Sequence, residues 1–159
     1  GRAAGSATTG ADGTAQVAGV PLGARAAGSY ARVVCASFAG AGADPPSGPT
    51  CGPLKVAKRV LWVQPKAQAR AAGAANPGCA SVADAQLVAP APANTGLANG
   101  DTLATAVRAT PGFFSCTYGV TSGTPAKPSK PGTYAILASG LTAQNYDIRY
   151  KAGTLTVTP

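Results

Sequence analysis

The stretch that most constrains this chain is its last fifteen residues, 145–159. Tyr146, Ile148 and Tyr150 alternate with Asp147, Arg149 and Lys151; beyond Ala152-Gly153, Leu155 and Val157 alternate with Thr154, Thr156 and Thr158. Successive side chains of a strand point to opposite faces, so each run has one apolar and one polar side. Aromatic and β-branched residues in this pattern predict strands. The glycine between the runs predicts a turn, and with it a closing antiparallel β-hairpin that carries Arg149 and Lys151 on its polar face.

Composition points the same way. With 21 Gly and 14 Pro, the chain favours turns and short strands over long helices. Hydrophobic residues make up 45% of the chain, but many of these are Ala. The 159 residues suffice for one domain or two small ones.

Taken in order, Asp12-Gly13 marks a turn, and a strand is expected over 15–20. A stronger strand runs from Gly28-Ser-Tyr30 to Phe38. A loop with Pro45, Pro46 and Pro49 follows, and Cys51-Gly-Pro-Leu-Lys-Val56 is a closing strand. A second unit begins at Val60-Leu-Trp-Val-Gln-Pro65. Residues 65–78 read as a loop, with Asn76-Pro77-Gly78 its clearest turn. Strands are expected near 79–89, 113–120 and 133–138, with a loop over 122–131. Residues 102–108 suit either a short helix, with Asp101 at or near its N-cap, or a strand.

Two motifs recur. Gly28-Ser-Tyr30-Ala31 returns as Gly132-Thr-Tyr134-Ala135, and Gly52-Pro-Leu54-Lys-Val56 returns as Gly153-Thr-Leu155-Thr-Val157. Such recurrence is expected of a tandem array. Only a few residues separate Val56 from Val60, so stacked units in an extended rod are predicted.

Cys35, Cys51, Cys79 and Cys116 lack the close spacing of a zinc site, and the chain has no His to complete one. An even count in a Pro/Gly-rich β chain favours disulfides and an oxidising compartment. Three pairings can be drawn. Cys35–Cys51 with Cys79–Cys116 keeps each bridge within one unit, whereas the others require the units to fold onto each other.

Catalysis is disfavoured. Without His the usual general base is missing. The five acidic residues are all Asp and lie far apart in sequence, at Asp12, Asp44, Asp84, Asp101 and Asp147. Ala39-Gly-Ala-Gly42 is not followed by the Lys-Ser/Thr of a phosphate loop. Ser129 and Lys130 are adjacent, which on a strand sends them to opposite sides. No catalytic residue, metal ligand or cofactor is therefore assigned, and calcium lacks the clustered carboxylates it needs.

The net charge of +8 could attract acidic polysaccharide, anionic envelope polymers or nucleic acid. The basic residues form no dense run, however, and a solvated surface accounts for most of them. Trp62, Phe113, Phe114 and Tyr118 are the candidate base-stacking platforms. Trp62 is expected at the boundary between units and the Phe pair split between core and surface, so no nucleic-acid partner is assigned. No apolar stretch reaches the roughly 20 residues that cross a bilayer. The start shows no Met and no signal-peptide pattern, which suits a processed segment or a piece of something longer.

Gly153-Thr-Leu-Thr-Val-Thr-Pro159 after Asn145-Tyr-Asp-Ile-Arg-Tyr150 resembles the end of an MBG domain, a repeat module of large bacterial surface and adhesin-like proteins. Ala75-Asn76-Pro77, Gly96-Leu-Ala-Asn-Gly-Asp-Thr-Leu103 and Pro131-Gly-Thr-Tyr-Ala-Ile136 extend the likeness over roughly residues 60–159. Where the family usually has Tyr-Gly, this chain has Ala72-Gly73. The first block resembles the C-terminal part of bacterial Ig-like repeats through Ala11-Asp-Gly-Thr-Ala15, Ala27-Gly-Ser-Tyr30, Ala36-Ser-Phe-Ala-Gly40 and Gly52-Pro-Leu-Lys-Val-Ala57. Such repeats run longer, so this unit looks incomplete.

The fold class expected is all-β: tandem Ig-like and MBG-like antiparallel modules over 1–58 and 59–159, in an extended arrangement with at most one short helix. The resemblance implies a non-enzymatic stalk or fibre segment at the bacterial surface. The partners expected are copies of the chain or neighbouring modules, joined where an open sheet edge accepts a strand such as residues 1–9. The alternative is a module that binds acidic glycans, with Arg149 and Lys151 as the polyanion contacts.

Overall fold

The computed structural model describes residues 5–20, 24–88, 95–109, 115–119 and 130–159. These are nearly all strand and connection, with a single α-helical turn among them, α1 at Leu103–Ala106. The expected strand over 15–20 does not form: these residues are exposed and make no ladder. Asp12 instead closes a local turn through Thr14, whose N–H and hydroxyl both donate to its carboxylate. Those two bonds hold the Asp12 carboxyl below its usual range.

The first ladder is a two-stranded ribbon. Strand β1 (Gly28–Phe38) pairs antiparallel with β2 (Ser47–Val56), and Cys35 sits directly opposite Cys51. Irregularities fall between Tyr30 and Val34 and between Ala36 and Phe38. Arg32, inside the first of these, has φ 54°, the positive φ of a bulge residue. The ribbon buries little, and Val34 and Phe38 remain 47% and 39% exposed.

The other described strands form two sheets and a small ladder. β3 (Arg59–Pro65) lies between β10 (Tyr146–Tyr150) and β5 (Ala85–Leu87). β11 (Gly153–Thr158) lies between β4 (Gln68–Ala71) and β8 (Gly132–Ser139), and β7 (Ser115–Tyr118) flanks β8. β6 (Arg108–Ala109) pairs with β9 (Leu141–Thr142).

Residues 145–159 are two strands with the expected alternation, but they do not form a hairpin. β10 runs parallel to β3, from Tyr146 opposite Arg59 to Tyr150 opposite Val63. β11 runs parallel to β4, from Leu155 opposite Gln68 to Thr158 opposite Ala71. Both segments therefore step together from one sheet to the other. Between the two ladders the Lys151 N–H donates to the Val63 carbonyl at 2.9 Å, continuing the pairing across the step. Alternation records which side chains face inward but not which strand lies alongside, so a hairpin and a sheet-switching pair have the same sequence signature.

Gly153 explains how the step is possible. A Cβ there would stand 2.5 Å from the Pro65 carbonyl oxygen and 3.0 Å from the Pro65 Cβ. Only a residue without a side chain lets the two segments come this close.

The segment 65–78, expected to be a loop, contains β4. Gln68-Ala-Arg-Ala71 has little strand propensity of its own and is extended because β11 offers it a partner, a case of tertiary context overriding local preference. Beyond it, the Ala74 N–H donates to the Ala71 carbonyl and Gly73 has φ 77° with nothing within 4 Å of its Cβ position. This is a type II turn, in which the third residue needs positive φ, so the backbone angle and not space requires glycine at Gly73. The strand expected near 79–89 shortens to β5, preceded by a 3-10 turn at Val82–Asp84. At α1 the cap is Thr102, whose hydroxyl accepts from the Thr105 N–H; Asp101 is engaged elsewhere.

Two apolar clusters fill the space between the sheets. One gathers Leu61, Val63, Ala85, Val107, Leu141 and Tyr146; the other gathers Tyr118, Ile136, Leu155 and Val157. Cys79 packs against both.

The sequence echo is in part an echo of register: two of three pairs correspond, and the irregularity at Arg32 shifts the third by two residues. In the ribbon, Val56, Leu54 and Gly52 lie opposite Gly28, Tyr30 and Val34. In the second ladder, Val157, Leu155 and Gly153 lie opposite Gly132, Tyr134 and Ile136. Each tyrosine sends its hydroxyl back four residues, Tyr30 to the Ala26 carbonyl at 2.7 Å and Tyr134 to the Lys130 carbonyl at 3.0 Å. What differs is the covering. Leu155 and Val157 are 0% and 2% exposed, whereas Leu54 and Val56 are only half-buried.

Gly153→Ala is expected to cost about 1–3 kcal/mol, the usual range for overpacking. Gly52→Ala, whose Cβ would meet nothing closer than the Val34 oxygen at 4.0 Å, should stay within about 0.5 kcal/mol of the parent. Urea unfolding of both variants checks the pair, and equal losses would remove the crowding explanation.

Candidate functional site

Among the described residues, polar and aromatic side chains meet where Arg25 lies over the Tyr30 ring and at two larger places. The first is the outer face of the β10–β3–β5 sheet. Leu61, Val63 and Pro65 fill the inner face of β3, which leaves Val60, Trp62 and Gln64 on the other. Arg149 is the register partner of Trp62, and Lys151 Nζ lies 5.8 Å from the centroid of the indole ring. Gln86 lies opposite Gln64 on the same face.

Arg149 also reaches Asp147 at 3.2 Å, with both side chains more than half exposed. Such a solvated pair contributes little stability. It does partly answer the Arg149 charge, so Lys151 is the less compensated of the two cations. Both were expected on the polar face of a hairpin; they lie instead on the outer face of a sheet whose middle strand is β3. Trp62, expected at the boundary between units, has its ring under Lys151. A cation over an indole face is attracted by the ring quadrupole.

The second place is a cleft of about 370 Å³ lined by Asp101, Thr105, Arg108, Thr142, Gln144 and Tyr146, among others. Asn99 and Gly100, with φ 56° and 76°, form the type I′ turn that delivers Asp101 to it. The Tyr146 hydroxyl donates to Asp101 Oδ2 at 2.6 Å and accepts the Ala98 N–H at 3.1 Å. Burial raises the Tyr146 pKa, and the bond to the Asp101 carboxylate raises it further. The hydroxyl stays protonated and the carboxylate is committed to it. The cleft thus presents several hydrogen-bonding groups.

The other sequence-predicted residues are dispersed. Asp84 accepts the Ala80 and Ser81 N–H groups and the Ser81 hydroxyl, which hold its carboxyl below the usual range. Asp44 closes a tight loop with Ala41. Among the described residues no three His, Cys, Asp or Glu side chains gather to hold a metal. Disulfides join Cys35 to Cys51 and Cys79 to Cys116. Tyr118, considered as a stacking platform, is buried, and its hydroxyl lies 2.7 Å from the Pro77 carbonyl and 2.6 Å from Gln68 Oε1. Phe113, Phe114 and Ser129 lie outside the described residues.

Sequence pattern alone did not pair Trp62 with Lys151 or Tyr146 with Asp101. The residues of each pair are distant in sequence and meet only through the parallel β3–β10 ladder and the turn at residues 98–101. The one available signal was Asn99-Gly100, a strong turn dipeptide directly before an acidic residue.

Tyr118, Tyr146 and Tyr150 all have raised pKa values, in each case through burial first. Their neutral forms are favoured in the folded state. The resulting stability is complete below the unfolded phenol pKa of about 10 and is lost as pH rises through the higher folded values. Chemical denaturation should therefore show an alkaline loss of stability that sets in at about pH 10 and comes from these tyrosines. Tyr146→Phe should weaken that dependence and cost about 1.5–3 kcal/mol at neutral pH, the usual worth of a bond to a charged group. An unchanged alkaline profile in the variant would assign the loss to other groups.

Comparison with known proteins agrees with this geometry. The family model described as MBG domain (YGX type) matches residues 61–156. That span runs from β3 to β11 and takes in both parallel ladders, both apolar clusters and the cleft. Comparisons with curated proteins and with solved structures gave no match. Ala72-Gly73, at the turn after β4, stands where the family's Tyr-Gly usually does, and Gly73 supplies the positive φ the turn needs. The matched residues are more than half of the chain, which belongs to the MBG domain family, a family of surface- and adhesin-type structural modules.

Proposed function

We propose that this chain is a non-enzymatic structural segment of a bacterial extracellular fibre or adhesin stalk. It comprises an incomplete Ig-like unit over 1–58 and an MBG unit over 59–159. The observation that carries this reading is the repeated ladder. The same Gly-x-Tyr and Gly-x-Leu-x-Val pair appears twice, each time with Gly opposite Val and Tyr opposite Leu, as expected of units strung along one chain. Disulfides in both units suit an oxidising, extracellular setting.

Assembly by strand exchange is part of the same proposal. In the MBG unit β4 fills the far edge of β11. The matching edge of β2 carries no strand among the described residues, and an open edge invites an added strand. The donor is the Gly/Ala/Thr-rich residues 1–9 of a second copy, of which 5–9 are exposed and unpaired here. Light scattering on a sizing column, with electron microscopy of the same sample, should find regular filaments that disappear when residues 1–9 are deleted. Intact filaments from the shortened chain would rule out this donor. A monomer at every concentration would leave a spacer without self-assembly.

A second reading is favoured by the Trp62 platform. An acidic saccharide can stack on an indole while its carboxylate or sulfate meets Lys151 and Arg149. Neutralising both cations should abolish salt-sensitive binding of an anionic polysaccharide. Binding that survives the double substitution, or that ignores salt, counts against this reading.

A further inference from the structure

We propose that the MBG unit is a shear clamp: tension along the chain is borne by the parallel β3–β10 and β4–β11 ladders acting together. The inference rests on the stalk reading only in supposing that tension reaches the unit from both sides. Its geometry stands independently.

The chain enters the unit at Arg59 and leaves it after Thr158. Because β3 runs parallel to β10 and β4 parallel to β11, Arg59 lies beside Tyr146 at one end of the paired segments and Thr158 beside Ala71 at the other. Pulling Arg59 and Thr158 apart slides residues 59–71 against residues 146–158 along their common axis. Load then falls on all the cross-strand bonds of both ladders at once, including Lys151 N–H to the Val63 carbonyl and Ala72 N–H to the Thr158 carbonyl. Had residues 145–159 closed as a hairpin against each other, the two terminal segments would not share these bonds.

Packing reinforces the ladders. β3 is held on its other side by β5, and β11 by β8, so the entering and the leaving strand are both central in their sheets. Leu61, Val63, Leu155 and Val157, at 0–2% exposure, anchor the same two strands in the core. Gly153 sits against Pro65 where the segments change sheets, and any residue with a Cβ would part them there.

The ribbon responds differently. Load enters at Gly28 and leaves at Val56, which are register partners, so the strands open one pair at a time. Opening stops at Cys35–Cys51, where the load passes through a covalent bond. In the MBG unit Cys79–Cys116 likewise shields the residues between the two cysteines after the clamp has yielded. The chain is thus a clamp in series with two lengths that only reduction releases.

Single-molecule force spectroscopy on the full chain tests this along two axes. One attaches handles at the chain ends; the other attaches one handle in the exposed turn 72–74 and one at the C-terminus. The second axis pulls on neighbouring strand ends and peels β11 from β4. End-to-end pulling should give one high-force event, and the turn axis a rupture force severalfold lower. Under reducing conditions the end-to-end extension should grow by roughly 130 Å for the 37-residue separation of Cys79 and Cys116, and by roughly 55 Å for the 16 of Cys35 and Cys51. Equal rupture forces on the two axes overturn the clamp. If the turn handle prevents folding, the end-to-end trace decides alone, because yielding in several small low-force steps also overturns it. Either result leaves open whether the protein forms fibres, and a chain that forms none can still show the clamp.

Discussion

Everything in the larger unit depends on two parallel pairings, β3 with β10 and β4 with β11. Parallel neighbours cannot be joined by a tight turn, so the chain between Ala71 and Tyr146 must travel out and return. That excursion contains the remaining strands, the helical turn at residues 103–106, the cleft and the Cys79–Cys116 bridge. The two pairings bring the first and last strands of the unit together and close the core between them. They also set the direction in which the unit can resist load.

The polar groups follow from this frame. Trp62 meets Lys151 because β3 and β10 lie side by side with their outer faces in register. Tyr146 reaches Asp101 because β10 passes the turn that precedes α1. The cleft so formed has one carboxylate, already bonded to a tyrosine that burial keeps protonated.

The ribbon and the β8–β11 ladder show how one motif can serve in two environments. Gly-x-Tyr faces Leu-x-Val in both, Gly opposite Val and Tyr opposite Leu, before the bulge in the ribbon shifts its register. In the MBG unit the ladder is flanked by β4 and β7 and its apolar face is buried. In the ribbon two strands have no further strand beside them among the described residues, an arrangement that is marginal in water without further support. The Cys35–Cys51 bridge supplies part of that support, worth roughly 3 kcal/mol for a loop of this size in the chain-entropy model.

Much was legible from the residues themselves. Alternation marked Tyr146, Leu155 and Val157 as inward-facing, and each of them is buried. The recurrent Gly-Ser/Thr-Tyr and Gly-x-Leu-x-Val motifs marked the repeated ladder, and the turn signal at Asp12-Gly13 stands where positive φ occurs. These are local properties, set by the period of a strand and the steric freedom of one residue. Strand partners are not local. The final alternation suits a hairpin as well as two strands in different sheets, and Gln68-Ala-Arg-Ala71 carries no strand signal at all. The tertiary structure decided between them, because burying both apolar faces required each terminal strand to lie against a distant segment and glycine at 153 left room for it to do so.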